Sequence, residues 1–176
     1  VGFVHLREVP SPQVPELRLE INTPATIDPV SFALSPDGRQ IVFVASGDGP
    51  SRLWLRPLNA LLAQPLPGMN GALYPFWSHD SRSVGFVADG KLKRFDLGGG
   101  LPQTLTDAAP QGASWNADGI ILFSSATGTG LSSIPAAGGE PVRVPTNANL
   151  IRPRFPFFLP GGREFLFYDV GTIYVA

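Results

Sequence analysis

Three carboxylates recur at one position of a repeated phrase, Asp37, Asp80 and Asp118. Carboxylates gathered at one centre could ligate calcium or share acid and base work. Equivalent positions in successive repeats lie too far apart for that, so each aspartate is expected to close its own turn. His5 and His79 have no cysteine or acidic cluster at ligand spacing, so no metal site is expected, and His79 is read as a solvent-facing turn residue. The stretch Gly128-Thr129-Gly130-Leu131-Ser132-Ser133 has the outline of a phosphate loop. It lacks the lysine, and it sits in a hairpin rather than before a helix. No Gly-x-Ser-x-Gly elbow occurs, nor the glycine loop, strand lysine, His-Arg-Asp and Asp-Phe-Gly set of a protein kinase. These residues assemble no catalytic constellation, so the expectation is a chain that binds rather than catalyses, without metal or cofactor.

The aspartates owe their spacing to an internal repeat. Ala33-Leu34-Ser35-Pro36-Asp37-Gly38-Arg39-Gln40-Ile41-Val42-Phe43 aligns with 76–86, with 114–123 (one residue shorter) and with 157–167. The bulky residue before each turn is Leu34, Trp77, Trp115 or Phe158, at separations of 43, 38 and 43. A period near 40 fits a four-stranded propeller blade, whose sheet buries both faces only by stacking on its neighbours. Proline presets φ, aspartate bonds the backbone ahead and glycine accepts the positive φ of the reversal. The next strand alternates, as in Ile41/Phe43, Val84/Phe86 and Phe165/Phe167. A third strand is expected at 52–56, 91–95, 132–136 and 172–175, with Asp89-Gly90 as a two-residue hairpin turn in the second unit. Gly-Gly-x-Pro at 99–102 and 138–141 introduces outer strands at 103–106 and 142–144, where a missing N–H costs little. In the first unit Asn59-Ala60-Leu61-Leu62-Ala63 stands there instead, read as a helical turn.

The expected fold is therefore all-β: three complete propeller blades of four antiparallel strands and a partial fourth, over 30–68, 70–107, 112–145 and 152–176. Residues 1–29 form a linker. Trp77 and Trp115 belong to the core between blades. The fourth unit lacks its outer strand, so the chain is read as part of a larger ring. Residues 16–21, which alternate polar and apolar, are the alternative closing strand. An open ring exposes a strand edge and blade faces and invites self-association.

Composition narrows the partners. Of 176 residues 43% are hydrophobic and 15% charged, which indicates a packed domain rather than disorder. A net charge of −1 argues against nucleic acid. There is no cysteine, hence no disulfide, and no apolar run long enough to span a bilayer.

The Ser35-Pro36-Asp37-Gly38-Arg39 turn and its period resemble the WD40-like (PD40) propeller repeats of the TolB family. Leu53-Trp54-Leu55-Arg56-Pro57-Leu58, Tyr74-Pro75-Phe76-Trp77-Ser78, Ala88-Asp89-Gly90-Lys91-Leu92-Lys93 and Pro156-Phe157-Phe158-Leu159-Pro160 are similar to one subgroup. That subgroup is the C-terminal propeller of bacterial membrane-bound serine/threonine protein kinases. The resemblance implies a preceding kinase domain and membrane helix, with Val1–Leu6 and Pro10–Pro15 as helix end and juxtamembrane linker, and a propeller on the periplasmic side. His79, Ser81 and Gly161 depart from the usual Pro, Gly and Asp of the turn, and 110–114 and 146–152 are short. On this reading the chain is a binding or scaffold module, the sensor region of a receptor kinase. The alternative is an accessory propeller of a prolyl-oligopeptidase-type peptidase or a TolB-like translocation component. In propellers two sets of loops converge on one end, which places partner contacts at 47–51, 69–73, 127–130 and 146–151: Asp48, Ser51, Asn70, Thr127, Thr129, Asn147 and Asn149.

Overall fold

The structure is a computed structural model that describes residues 18, 20–26, 28–107, 110–124, 130–146 and 150–176. Four antiparallel sheets follow one another along the chain. The first holds β1 (Phe32–Leu34), β2 (Gln40–Ala45), β3 (Arg52–Pro57) and β4 (Gln64–Asn70), in that order. The second holds β5 (Leu73–Trp77), β6 (Ser83–Ala88), β7 (Lys91–Asp96) and β8 (Gln103–Thr106). The third holds β9 (Ala113–Trp115), β10 (Ile120–Ser124), β11 (Leu131–Pro135) and β12 (Val142–Val144). The fourth holds β13 (Arg154–Phe158), β14 (Phe165–Asp169) and β15 (Thr172–Val175). No helix occurs among the described residues. Asn59 lies in a turn and Ala60–Ala63 are irregular, so the helical turn expected there is absent. Leu61 and Leu62 are exposed and offer no apolar face on which a helix could rest.

The turns explain why the sheets form. In the first, the Ser35 hydroxyl donates to Asp37 Oδ1 at 2.6 Å, while the Arg39 and Gln40 amides donate to Asp37 Oδ1 and Ser35 Oγ at 3.0 and 2.9 Å. Ser78, Asp80, Arg82 and Ser83 repeat the pattern. The third turn departs from expectation. Asn116, standing at the serine position, closes it by accepting from the Asp118 and Ile120 amides, so Asp118 does not perform the capping role. Ser81 carries φ +60° where the other turns place Gly38, Gly119 and Gly162 at +69°, +76° and +67°. Its hydroxyl accepts the Asp37 amide of the preceding sheet, a bond that glycine could not make.

The sheets stack face to face through three apolar layers. Val42, Val44 and Leu53 meet Trp77, Val84, Phe86 and Phe95. Phe76, Leu92 and Leu105 meet Ile121, Phe123 and Ile134. Leu122 and Leu131 meet Phe165 and Phe167. Trp77 is buried in the first layer and Trp115 packs on the second. Polar links stitch the same interfaces: Trp77 Nε1 donates to the Ala33 carbonyl, Arg94 to that of Ala136, and Asn116 to that of Gly162.

The stack leaves two faces uncovered by another sheet. Leu34 is 54% exposed at the position where Trp77 is 5% exposed, because among the described residues no sheet packs on that side of the first. Ile21, Thr23, Asp28 and Pro29 lie over part of that face beside Phe43 and leave a cavity of about 200 Å³. At the far end Phe157, Tyr168, Ile173 and Val175 are exposed on the fourth sheet. The proposed closing strand 16–21 falls partly outside the described residues. Arg18, Glu20 and Ile21 are in no strand, and among the described residues β15 has β14 as its single neighbour.

Candidate binding site at the inner-strand end

Antiparallel order places the sharp Asp-Gly-type turns between first and second strands at one end of every sheet. The opposite end carries the hairpins between second and third strands and the links from one sheet to the next. Of the sequence-expected contacts, the structure describes Asp48, Ser51 and Asn70, which lie at this second end. Asp48 is exposed in the turn after β2. Ser51 is half-buried, and its hydroxyl has no hydrogen-bond partner while its carbonyl accepts the Gly71 amide at 2.6 Å. Asn70 is exposed but closes β4, paired with Arg52, rather than lying in a loop. The Ser51–Gly71 bond and the Arg52–Asn70 pairing bring Ser51 and Asn70 together. Thr127, Thr129, Asn147 and Asn149 lie outside the described residues.

The same end holds a feature that residue-type reasoning missed. Three residues before the bulky position of each repeat stand Ser31, Tyr74, Gly112 and Phe155. Tyr74 has φ +50°, Phe155 +51° and Gly112 +96°. The left-handed region is disfavoured for bulky residues, and more so before proline, yet Pro75 and Pro156 follow directly. Both residues sit in a register shift of the innermost strand, between Leu73 and Phe76 and between Arg154 and Phe157. Such bulges re-aim side chains.

Their effect is to bring two rings together across the third sheet. Tyr74 and Phe155 pack edge to face with centroids 6.1 Å apart. Gly112 lies beneath: a β-carbon there would stand 2.9 Å from both Cα and Cδ1 of Phe155, so only glycine leaves room for the approach. The strained backbones are held by neighbours. The Tyr74 amide donates to Ser31 Oγ at 2.9 Å and the Phe155 amide to the Gln111 carbonyl at 3.0 Å. Buried Asp169 accepts the Ile151 and Arg152 amides at 3.0 and 2.6 Å and so fixes the approach to Phe155. Phe155 remains half exposed, a ring available to an incoming group. A sequence signal existed: an aromatic-proline pair at the same repeat position, Tyr74-Pro75 and Phe155-Pro156.

Electrostatics at this end are mixed. Lys93 donates to Asp89 at 2.7 Å and holds that carboxyl below its usual range, and Lys91 pairs with Asp107 at 2.9 Å. Among the described residues no group of three or more His, Cys, Asp or Glu could hold a metal ion. His79 lies exposed in its turn, at the opposite end from the aromatic pair.

No protein-family model and no curated protein matches this sequence. Solved structures match its shape. A protein of Agrobacterium tumefaciens assigned as TolB superposes with a TM-score of 0.69 at 20% identity, covering 82% of this chain and 59% of its own. A chain of a nidogen/laminin complex gives 0.68 at 11% identity, over 82% and 59%. A protein of Xanthomonas campestris called a gluconolactonase gives 0.64 at 14% identity, over 82% and 55%. This chain thus spans under two thirds of each of those structures. At such identities the likeness establishes the fold, a stack of propeller blades.

Proposed function

We propose that this chain is a non-catalytic propeller module that binds a partner at the inner-strand end, with Tyr74 and Phe155 at the centre of the contact. The observation that carries the reading is the pair of pre-proline aromatics in left-handed backbone. Strain of this kind costs about 1–3 kcal/mol per residue and persists where the surroundings over-determine it, as at ligand sites. Both aromatics sit at a position where Gly112 shows that a cheaper residue fits the backbone. Aromatic residues are enriched among the anchors of binding surfaces, and here half-exposed Phe155 stands beside the partly buried Tyr74. The nidogen/laminin neighbour supports a binding role for such a stack, and the gluconolactonase neighbour keeps a lactone hydrolase as the competing class.

The finer reading is an extracytoplasmic sensor propeller of a bacterial receptor serine/threonine kinase, supported by the ordered phrases at 53–58, 74–78, 88–93 and 156–160. A TolB-like translocation component is the second reading, supported by the superposition on the Agrobacterium protein. Gene sequence flanking this chain separates them: a kinase domain and membrane helix upstream favour the first, their absence the second.

The binding proposal is tested by retention of proteins from a bacterial periplasmic extract on immobilised chain. The Tyr74→Ala/Phe155→Ala variant is compared with an Arg39→Ala/Arg82→Ala control at the opposite end, each checked for folding by circular dichroism. Loss of a retained protein by the aromatic variant alone is expected. Identical retention by wild type and aromatic variant overturns the reading.

A further inference from the structure

Charge at the inner-strand end is unevenly balanced around the aromatic pair. On the second sheet it cancels, Lys93 against Asp89 and Lys91 against Asp107. Beside Phe155 it does not. Arg152 is exposed in the link that enters from the third sheet, and half-buried Arg154 immediately precedes the ring. Among the described residues no carboxylate lies within ion-pair distance of either guanidinium. The carboxylate that does reach this segment, Asp169, is buried and accepts the Ile151 and Arg152 amides instead. Those two bonds fix the backbone of Arg152 while its side chain stays exposed.

Rigid neighbours hold the groups in place. Buried Pro153 separates the two arginines, and buried Pro156 follows the ring. Phe155 leans over Gly112 to meet Tyr74, and Arg152 enters from the third sheet. Both therefore lie toward the interior of the stack, whatever flanks the fourth sheet. A half-exposed ring beside a cation fits a group of matching make-up. An apolar or aromatic side chain would pack on the ring, and a carboxylate would take the parallel N–H donors of a guanidinium. The open setting suits a segment of polypeptide, since small molecules are held in concave sites that bury most of their surface. The cavities lined by Phe43 and by Gln40 lie on the first sheet, away from this pair.

We infer that the partner bound at Tyr74 and Phe155 is an acidic peptide segment. It sets an aromatic or large aliphatic side chain against the rings and an aspartate or glutamate against Arg152, with Arg154 as the second cation. The inference rests on the binding role proposed above and adds the partner's charge to it.

The probe is a phage-displayed library of random peptides selected on the immobilised chain. Enriched peptides are expected to carry aspartate or glutamate close to an aromatic or aliphatic residue. A synthetic peptide of the enriched sequence is then titrated calorimetrically at low and high salt, with each variant checked for folding by circular dichroism. Arg152→Gln/Arg154→Gln should weaken its binding roughly tenfold or more, through loss of charge-assisted hydrogen bonds. Wild-type affinity should fall as salt rises, and that of the arginine variant much less. Arg39→Gln/Arg82→Gln, at the opposite end, should bind as wild type does. Enrichment of basic or uncharged peptides, no enrichment at all, or unchanged affinity in the Arg152→Gln/Arg154→Gln chain overturns the inference. The aromatic variant separates that failure from failure of the site. A peptide that binds Tyr74→Ala/Phe155→Ala as tightly as wild type overturns both readings. A peptide lost by that variant but indifferent to the arginines upholds the site and overturns the acidic partner.

Discussion

Phe76 and Gly85 offer the sharpest test of how these sheets are packed. They are directly paired between β5 and β6, and a β-carbon on Gly85 would fall inside the Phe76 ring. The same position in the first sheet pairs Ala33 with Val42, and in the third Ser114 with Leu122. In these three stacked sheets the pair is one larger and one smaller residue, whereas the fourth sheet pairs Phe157 with Leu166 on an exposed face, so the glycine compensates for the ring rather than supplying a turn. Phe76→Ala empties a buried site in the second layer and should cost about 3–5 kcal/mol. Gly85→Val forces the ring aside and should cost about 1–3 kcal/mol through overpacking. The double variant recreates the Ala33/Val42 pair of the first sheet, so it should recover on the order of 2–3 kcal/mol of the summed loss as coupling. Urea unfolding monitored by tryptophan fluorescence measures all four corners of the cycle. Phe157 serves as a control: it occupies the same repeat position but is 62% exposed, and its replacement by alanine should cost within about 0.5–1 kcal/mol. Additive single-variant losses, with no recovery in the double, would refute the compensation argument.

Two further outcomes follow from the turns. Ser81→Gly relieves a left-handed conformation that costs roughly 1–2 kcal/mol for a residue with a β-carbon, and loses one exposed hydrogen bond of 3.2 Å. A net rise of up to about 1 kcal/mol in unfolding free energy is expected, read from the urea midpoint. The carboxyls of Asp37, Asp80 and Asp96 lie below their usual range, chiefly because the hydroxyls of Ser35, Ser78 and Ser83 donate to them. Lowered carboxylate values mean stability that is present in full above the unfolded value near 3.9 and lost as pH falls through the folded values. The urea midpoint should stay flat from about pH 8 to 5 and drop below about pH 4, less steeply in Asp80→Asn. A midpoint falling equally in both chains would disprove that origin.

The sheets were legible wherever the determinants are local. Ser-Pro-Asp-Gly chemistry closes within five residues, and the alternation of Ile41/Phe43 or Val84/Phe86 reports its own face. β4 was not legible, since Gln-Pro-Leu-Pro-Gly-Met-Asn neither alternates nor favours a strand. It exists because β3 offers an edge for it to pair with. Asp118 misled for a related reason: the aspartate is at its repeat position, but Asn116 offers the same acceptor two residues earlier and closes the turn first. The aromatic pair was least legible. Its partners are separated by a whole repeat, and the conformation that joins them is one that propensity disfavours for both residues.

That last point bears on why the rings are there. Position three before the bulky residue has been filled in four ways on one scaffold. Ser31 supplies a hydroxyl to the next sheet, Gly112 supplies empty space, and Tyr74 and Phe155 supply rings. Glycine would adopt the left-handed backbone at 74 and 155 without the penalty that an aromatic residue bears. An edge-to-face contact contributes about 0.5–1.5 kcal/mol toward offsetting strain of about 1–3 kcal/mol at each residue. That contribution adds to the apolar area the rings bury, and for Phe155 half of the ring surface stays in solvent. The exposed half of the Phe155 ring is understandable if it acts on something outside the fold, and its place above Gly112 is where that contact would begin.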